Sequence, residues 1–475
     1  MTDIIEADLC VIGAGSGGLT VAAGGAQMGA RIVLVEKGKM GGDCLNYGCV
    51  PSKALLAAGH AAQAMREAGR FGISPVEPEI DFAAVHDHVR GVIDGIAPTD
   101  SQERFEGMGV QVIRAAGRFT GPREVAAGGQ RIRARRFVVA TGSTAAIPPI
   151  PGVGDVPVLT NETIFDLDTR PEHLIVIGGG PIGAEMAQAH RQLGCRVTVL
   201  EMFSLLGRDD PEAADVVRRR LLAEGVAIHE GISIQGVSGG AGGVTVTIER
   251  DGATEAIEGS HLLVAAGRKV NIEGLGLDEA GIEHSPKGIV VDARLRTSNR
   301  RVFAVGDVAG GYQFTHVASY HAGIVLRNAL FWPIPAKANH DAVPWVTYTD
   351  PELAQVGLTD LQAREKLGDG INVLRWPLAE NDRARAERKP DGFAKIVTDR
   401  KGRTVGATIV GLHAGELILP WVLAVSGKQK VGRMAGVIAP YPTLSEVGKR
   451  AAGTWYIPKL FSERTRRIVR FLQKF

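Results

Sequence analysis

Apolar runs interrupted by clustered glycines dominate the first part of this chain. Leu9-Cys10-Val11-Ile12 is continuously apolar and leads straight into Gly13-Ala14-Gly15-Ser16-Gly17-Gly18. An alanine-rich stretch of helical character follows, and a second apolar run, Arg31-Ile32-Val33-Leu34-Val35, ends in Glu36. The pattern predicts strand, tight turn, helix, strand. In G-x-G-x-x-G the glycines permit the turn, let the backbone reach a pyrophosphate and allow close helix–strand packing. The helix N-terminus then offers free N–H groups to the phosphates. Glu36 is placed to accept the ribose hydroxyls of an adenosine.

The same pattern returns further along. Leu174-Ile175-Val176-Ile177 runs into Gly178-Gly179-Gly180-Pro181-Ile182-Gly183, and Arg196-Val197-Thr198-Val199-Leu200 ends in Glu201. In both copies the acid follows the first glycine by 23 residues (13 to 36, 178 to 201). One such turn is weak evidence, because glycine-rich turns are common. Two, in equal context and at equal spacing, predict two dinucleotide sites. In a redox enzyme these are FAD, at Gly13, Gly15, Gly18 and Glu36, and a nicotinamide, at Gly178, Gly180, Gly183 and Glu201. A carboxylate at Glu201 accepts hydrogen bonds from a 2′-hydroxyl but repels a 2′-phosphate. Met202, Phe203 and Ser204 supply no cation to offset that, so NADH is expected over NADPH.

Between the copies lies Gly41-Gly42-Asp43-Cys44-Leu45-Asn46-Tyr47-Gly48-Cys49-Val50-Pro51-Ser52-Lys53. Two cysteines this close to a dinucleotide site point to a redox pair that exchanges electrons with a flavin. Val50-Pro51-Ser52-Lys53-Ala54-Leu55-Leu56 reads as a helix start with Pro51 in its first turn, and a nearby helix N-terminus lowers a thiol pKa. The other two cysteines, Cys10 and Cys195, sit in strand-like apolar runs and read as core residues.

Composition narrows the picture without redirecting it. At 475 residues, two to four domains are expected. Glycine is the one outlier, 62 residues, or about 13% against a typical ~7%. A net charge of +2 makes no case for nucleic acid. Four cysteines are too few for a secreted disulfide scaffold, so a reducing cytoplasm is expected. The stretch Met1-Thr2-Asp3-Ile4-Ile5-Glu6-Ala7-Asp8 has no apolar h-region, and no run reaches the ~18 apolar residues of a membrane span.

With these motifs in hand, the chain resembles the class I flavoprotein disulfide reductases, the group of dihydrolipoamide dehydrogenase, glutathione reductase and mercuric reductase. The resemblance extends through Val139-Ala140-Thr141-Gly142-Ser143, Val264-Ala265-Ala266-Gly267-Arg268-Lys269-Val270-Asn271, Val302-Phe303-Ala304-Val305-Gly306-Asp307 and Tyr348-Thr349-Asp350-Pro351-Glu352-Leu353-Ala354-Gln355-Val356-Gly357. It implies an α/β fold with two Rossmann-like dinucleotide-binding domains and a C-terminal α+β dimerisation domain. FAD binding would take 1–155 and 275–340, NAD binding 156–274, and the interface domain 341–475, after the linker Trp332-Pro333-Ile334-Pro335. It further implies a homodimer whose active site is shared between subunits. Thr141, Gly142 and Asp307 would join the FAD site, and Gly267 the NAD site. Cys49 would face the flavin and Cys44 the substrate, with Cys44 emerging as the exchanging thiolate and the Cys49 thiolate donating charge to the oxidised flavin. Lys53, paired with Glu185, would steady charge near the flavin. No resident metal is expected; a disulfide or a metal ion would be the electron acceptor.

The family pattern breaks near the C-terminus. Most members carry a histidine and glutamate there as an acid–base dyad for the dithiol substrate. This chain reads Ile438-Ala439-Pro440-Tyr441-Pro442-Thr443-Leu444-Ser445-Glu446, with Tyr441 in the histidine's place. A phenol with a pKa near ~10 is a poor general base at neutral pH. Tyrosine here resembles mercuric reductase, yet the tail Phe461–Phe475 lacks that enzyme's cysteine pair, and no N-terminal metal-binding domain is expected. Two further readings stay open: a dihydrolipoamide-dehydrogenase-type reductase, and a redox-responsive flavoprotein that docks through its tail. Thr443-Leu444-Ser445-Glu446 also fits a capping box, which gives Glu446 a structural role. The tail alternates Arg464, Arg466, Arg467, Arg470 and Lys474 with Ile468, Val469, Phe471, Leu472 and Phe475. Such a helix is expected to pack its apolar stripe on its own domain or to rest weakly on a membrane surface.

Overall fold

The computed structural model describes residues 4–240, 242–331 and 333–475. The first three residues of the N-terminal stretch and Trp332 of the linker lie outside the described residues.

Three sheets organise the chain. The first has parallel strands in the order Gln111–Ile113, Ile32–Val35, Ile4–Ile12 and Gln130–Val139. Antiparallel strands Glu124–Ala127 and Arg118–Gly121 extend it. Val302–Ala304 returns from far along the chain to pair in parallel with Gln130–Val139. The second sheet is wholly parallel: Ala227–Glu230, Arg196–Glu201, His173–Ile177, His261–Val264 and Val158–Leu159. Strands Ile32–Val35 and His173–Ile177 are buried at every position, as expected where helices cover both faces of a parallel sheet. Cys10 and Cys195 are buried in these two layers, and burial pushes both thiols up to about 12.

The third sheet is antiparallel, in the order Pro344–Thr347, Glu352–Gly357, Thr404–Gly411, Phe393–Thr398 and Asn372–Pro377. Helices Leu419–Ser426 and Glu446–Gly453 cover it, and Trp421, Ile396, Ile409 and Val447 form its core. The mixed α/β architecture is the one the resemblance implies.

Two expectations at the C-terminal end need correcting. The capping box at Thr443 does not form. The Thr443 hydroxyl donates instead to the Pro440 carbonyl at 2.7 Å, and the helix starts only at Glu446, behind Ser445, which makes no side-chain cap bond. The tail helix Glu463–Leu472 does form, but it does not pack its apolar stripe on its own domain: Ile468, Val469, Phe471 and Leu472 are all exposed. Among the described residues, no helix is long and apolar enough to cross a membrane.

Candidate active site

The two glycine turns are built alike. Gly13 and Gly178 have φ of 107° and 108°, a region that L side chains rarely adopt. A Cβ on Gly13 would lie 2.4 Å from the Ala140 carbonyl oxygen, and one on Gly178 would lie 2.6 Å from that of Ala265. A Cβ on Gly18 or Gly183 would strike the carbonyl oxygen of Gly13 or Gly178, so these third glycines allow the helix to sit on the strand. The middle glycines differ. A Cβ on Gly15 would meet nothing nearer than 4.0 Å, and one on Gly180 nothing at all. This open space over the N-termini of helices Ser16–Gln27 and Pro181–Gln192 is what a pyrophosphate requires.

The acids repeat the symmetry. Glu36 accepts the N–H of Ala14 at 2.5 Å and of Gly38 at 2.6 Å. Glu201 accepts the N–H of Gly179 at 2.6 Å and of Phe203 at 2.9 Å. Each carboxylate is thereby held at the end of its second strand, beside its turn. The residues present fit FAD at the first cradle and a nicotinamide dinucleotide at the second.

A continuous cleft of about 3100 Å³ joins the cradles. All the predicted residues line it except Gly18, Gly183, Tyr441 and Glu446. The first two are occupied with packing, and the last two lie outside the cleft of their own subunit.

Between the cradles stand the cysteines. Cys44 lies in the short helix Gly42–Asn46, while Cys49 is the first residue of Cys49–Arg66, one position earlier than the expected helix start. Both are free thiols in this structure. The hydrogen bond from Cys44 does most to hold Cys49 down, to about 6, against the opposing effect of burial. The Thr315 hydroxyl, 3.2 Å from the Cys49 sulfur, and the Lys53 cation add to it. The same bond between the cysteines, with burial, pushes Cys44 up. In the dithiol, therefore, the shared proton sits on Cys44 and the charge on Cys49.

Lys53 donates to Glu185 at 2.6 Å, and its ammonium lies 4.3 Å from the centre of the Tyr348 ring. Glu185 is nearly fully buried, and its other oxygen accepts the Tyr348 N–H at 2.9 Å. The pair therefore ties the dithiol helix to the second nucleotide helix and to the third sheet.

A second tie was absent from the site predicted by sequence. Arg268 donates to the Ser143 hydroxyl at 2.7 Å and to its carbonyl at 2.8 Å, and reaches Asp43 at 3.2 Å. Ser143 donates to Asp307 at 2.5 Å, and Asn161 holds Asp43 from the other side at 2.9 Å. Arg268, Ser143, Thr315 and Tyr348 all line the cleft. Three of them lie within the recognised motifs but had no assigned role, and Thr315 carried no signal.

Tyr441 is exposed, and its hydroxyl donates to Asp382 at 2.9 Å. That bond to a carboxylate raises the phenol above its ordinary value, further from use as a base.

Two dinucleotide cradles converging on a dithiol, with a charged pair beside it, define a flavin- and nicotinamide-linked dithiol oxidoreductase. The chain belongs to the pyridine nucleotide-disulphide oxidoreductase family: the family's model matches residues 7–322 and its dimerisation domain residues 343–452. It is an enzyme of a family that uses FAD and NAD(P)H, and the dimerisation domain indicates a homodimer. It is 35% identical over 453 residues to a mercuric reductase of Staphylococcus aureus, covering 94% of this chain and 82% of that one. To a dihydrolipoyl dehydrogenase of Geobacillus stearothermophilus it is 34% identical over 457 residues, covering 94% and 96%. It also resembles a solved structure, the Cu(II) complex of the HOCl-induced flavoprotein disulfide reductase RclA from Escherichia coli. There the TM-score is 0.83 at 28% identity, covering 93% of this chain and 98% of the other.

Proposed function

We propose that this enzyme is an NADH-dependent reductase of thiophilic metal ions, working through Cys44 and Cys49 in a reducing cytoplasm. FAD would be held within 1–155 and 275–340, NADH within 156–274, and the subunit contacts by 341–475. Bound FAD supplies the two-electron relay between NADH and the dithiol. The chain's own residues do the rest. The Gly15 and Gly180 turns hold the pyrophosphates, while Glu36 and Glu201 take the ribose hydroxyls. Lys53, fixed by Glu185, keeps a positive charge beside the Cys49 thiolate. The observation that carries the reading is Tyr441. Its hydroxyl donates to Asp382, so it is committed as a donor where dithiol–disulfide exchange needs a proton acceptor. A metal ion bound by two thiolates needs none, since coordination itself displaces the thiol protons.

The balance is simple. Each NADH becomes NAD⁺ and gives up two electrons and one proton. One ion reduced by two electrons, or two ions each reduced by one, accepts the electrons, and the proton goes to solvent. The names of the mercuric reductase relatives and the Cu(II) complex of RclA support a metal acceptor. The test is steady-state NADH oxidation with Hg(II), Cu(II), lipoamide and glutathione disulfide. Saturable turnover with a metal ion and at most slow turnover with the disulfides is expected. Fast lipoamide turnover would assign the enzyme to the dihydrolipoamide dehydrogenases. Rapid reduction by NADH with no turnover on any acceptor would favour a redox-responsive docking protein.

A further inference from the structure

The tail helix Glu463–Leu472 is capped by Ser462, which accepts the Thr465 N–H at 3.2 Å. It is fastened to the preceding turn by the Thr465 hydroxyl, which donates to the Lys459 carbonyl at 2.7 Å. No residue of it is buried. At 3.6 residues per turn, Ile468, Phe471, Leu472 and Phe475 fall on one face. Phe471 and Phe475 meet edge to face at 5.5 Å, and Phe475 is 96% exposed. Arg466, Arg467, Arg470 and Lys474 fall on the opposite side, while Arg464, one turn before Ile468, stands on the apolar face at its N-terminal end. The last fifteen residues hold five cations against the single acid Glu463, so the chain's small positive charge is concentrated there.

We propose that this helix is a docking element for an anionic lipid bilayer, lying in the interface plane with Ile468, Phe471, Leu472 and Phe475 inserted and the arginines against the headgroups. Two physical arguments favour lipid over a second copy of the chain. A ten-residue helix is about 15 Å long and presents one narrow apolar strip. A stable protein contact needs about 800 Å² per partner and a core depleted of charge. The strip is far smaller and is flanked by cations. A bilayer asks for neither: binding sums over inserted apolar groups and over each cation near the negative surface. Arg464 suits the same geometry, since a long cation at the end of an inserted face reaches back to the headgroups. Exposed Leu460 and Phe461, with Lys459 lying 5.1 Å from the Trp455 ring, continue the apolar and basic character into the preceding turn.

The test is flotation of the FAD-loaded dimer with vesicles of phosphatidylcholine alone and with 30% phosphatidylglycerol. Three proteins are compared: the unaltered chain, the double variant Arg467→Glu/Arg470→Glu, and the triple variant Ile468→Ser/Phe471→Ser/Leu472→Ser. NADH-dependent ferricyanide reduction in each reports that the enzyme is folded, because none of these residues touches the cleft. Binding is expected on the anionic vesicles and not on the neutral ones, and it should weaken with added salt. Each cation near an anionic surface adds roughly fivefold to binding. Charge reversal at two positions should therefore reduce binding by at least about 25-fold, and the triple variant should abolish it. Equal flotation of all three proteins, or none by the unaltered chain, overturns the proposal. So does conversion of the dimer to monomer by the triple variant in sedimentation velocity, because the face would then belong to the subunit interface.

Discussion

The two nucleotide-binding segments, 4–36 and 173–201, are the same device used for different ends. Their glycines have matching φ values, their third glycines clear matching carbonyls, and their acids accept matching pairs of backbone N–H groups. The divergence lies in the helices behind the turns. Thr20 of the first helix donates to its own backbone, at Ser16. Its counterpart Glu185 in the second helix is buried and reaches across to Lys53 and Tyr348. Gly24 of the first helix clears Leu326 of helix Thr315–Leu330, while the second helix carries Ala189 there and packs on the dithiol helix instead. Holding a dinucleotide needs the shared part; sending electrons in one direction needs the part that differs.

The largest expected effect separates these parts. Cys49→Ser should lower turnover with metal or disulfide acceptors by at least about a thousandfold, as loss of a reacting group does. NADH-dependent ferricyanide reduction should persist, because both cradles are untouched. A long-wavelength charge-transfer band should appear on anaerobic reduction of the unaltered enzyme and be absent in the variant. If the band survives, these cysteines are not the redox centre.

The acids provide the next contrast. Glu201→Gln removes the charge that repels a 2′-phosphate and keeps one acceptor oxygen, so it retains a partner for only one of the N–H groups of Gly179 and Phe203. The ratio of kcat/KM for NADPH over NADH should rise about tenfold, ~1.4 kcal/mol of discrimination. Glu36→Gln in the first segment should weaken FAD retention and leave that ratio unchanged. A shift of nicotinamide preference by the second variant would mean that the two cradles are assigned the wrong way round.

What was legible in the sequence follows from how far each contact reaches. The glycine turns and their acids lie within one short segment, so spacing alone exposes them. Lys53 and Glu185 lie 132 residues apart and came only with the family resemblance. Cys49 and Thr315 lie 266 apart, and nothing in Gln313-Phe314-Thr315 announces a hydroxyl aimed at a thiol. Arg268 lies within a recognised motif, but its role is set by Asp43 and Ser143, which two other segments bring to it. At Thr443 the local pattern misled, because the hydroxyl satisfied a nearer carbonyl at Pro440. The exposed tail face was visible as a pattern but not as unpartnered, since periodicity does not say what covers a helix.

A smaller effect tests the charge beside the dithiol. The Cys49 thiol is depressed, so its thiolate is present above about pH 6 and is lost as pH falls through that value. The charge-transfer band should titrate with a midpoint near 6. Lys53→Met removes one of the lowering influences and should move the midpoint upward by about half a pH unit, ~0.7 kcal/mol. Thr20→Val, at the counterpart of Glu185 in the first segment, should leave it in place. An unmoved midpoint in Lys53→Met would restrict the ion pair with Glu185 to a structural role.

The smallest effect on stability isolates what the turns are for. Gly178→Ala forces a side chain into left-handed backbone and against the Ala265 carbonyl, and should destabilise the cofactor-free protein clearly. Gly180→Ala should not. Gly180 has φ −72° and ψ −176°, a conformation alanine adopts freely, and its Cβ would meet nothing within 4 Å. Alanine is a poorer helix N-cap than glycine by roughly 0.5–1 kcal/mol, but it restricts the unfolded chain by a similar ~0.4–1 kcal/mol. The two terms cancel, so the melting temperature of the cofactor-free protein should be unchanged within about 2 °C. The new methyl group would nevertheless stand where a pyrophosphate approaches, and KM for NADH should rise while FAD content stays constant. Unchanged KM would mean that the second dinucleotide does not approach over Gly180, and the likeness of the two segments would then be one of backbone rather than of use.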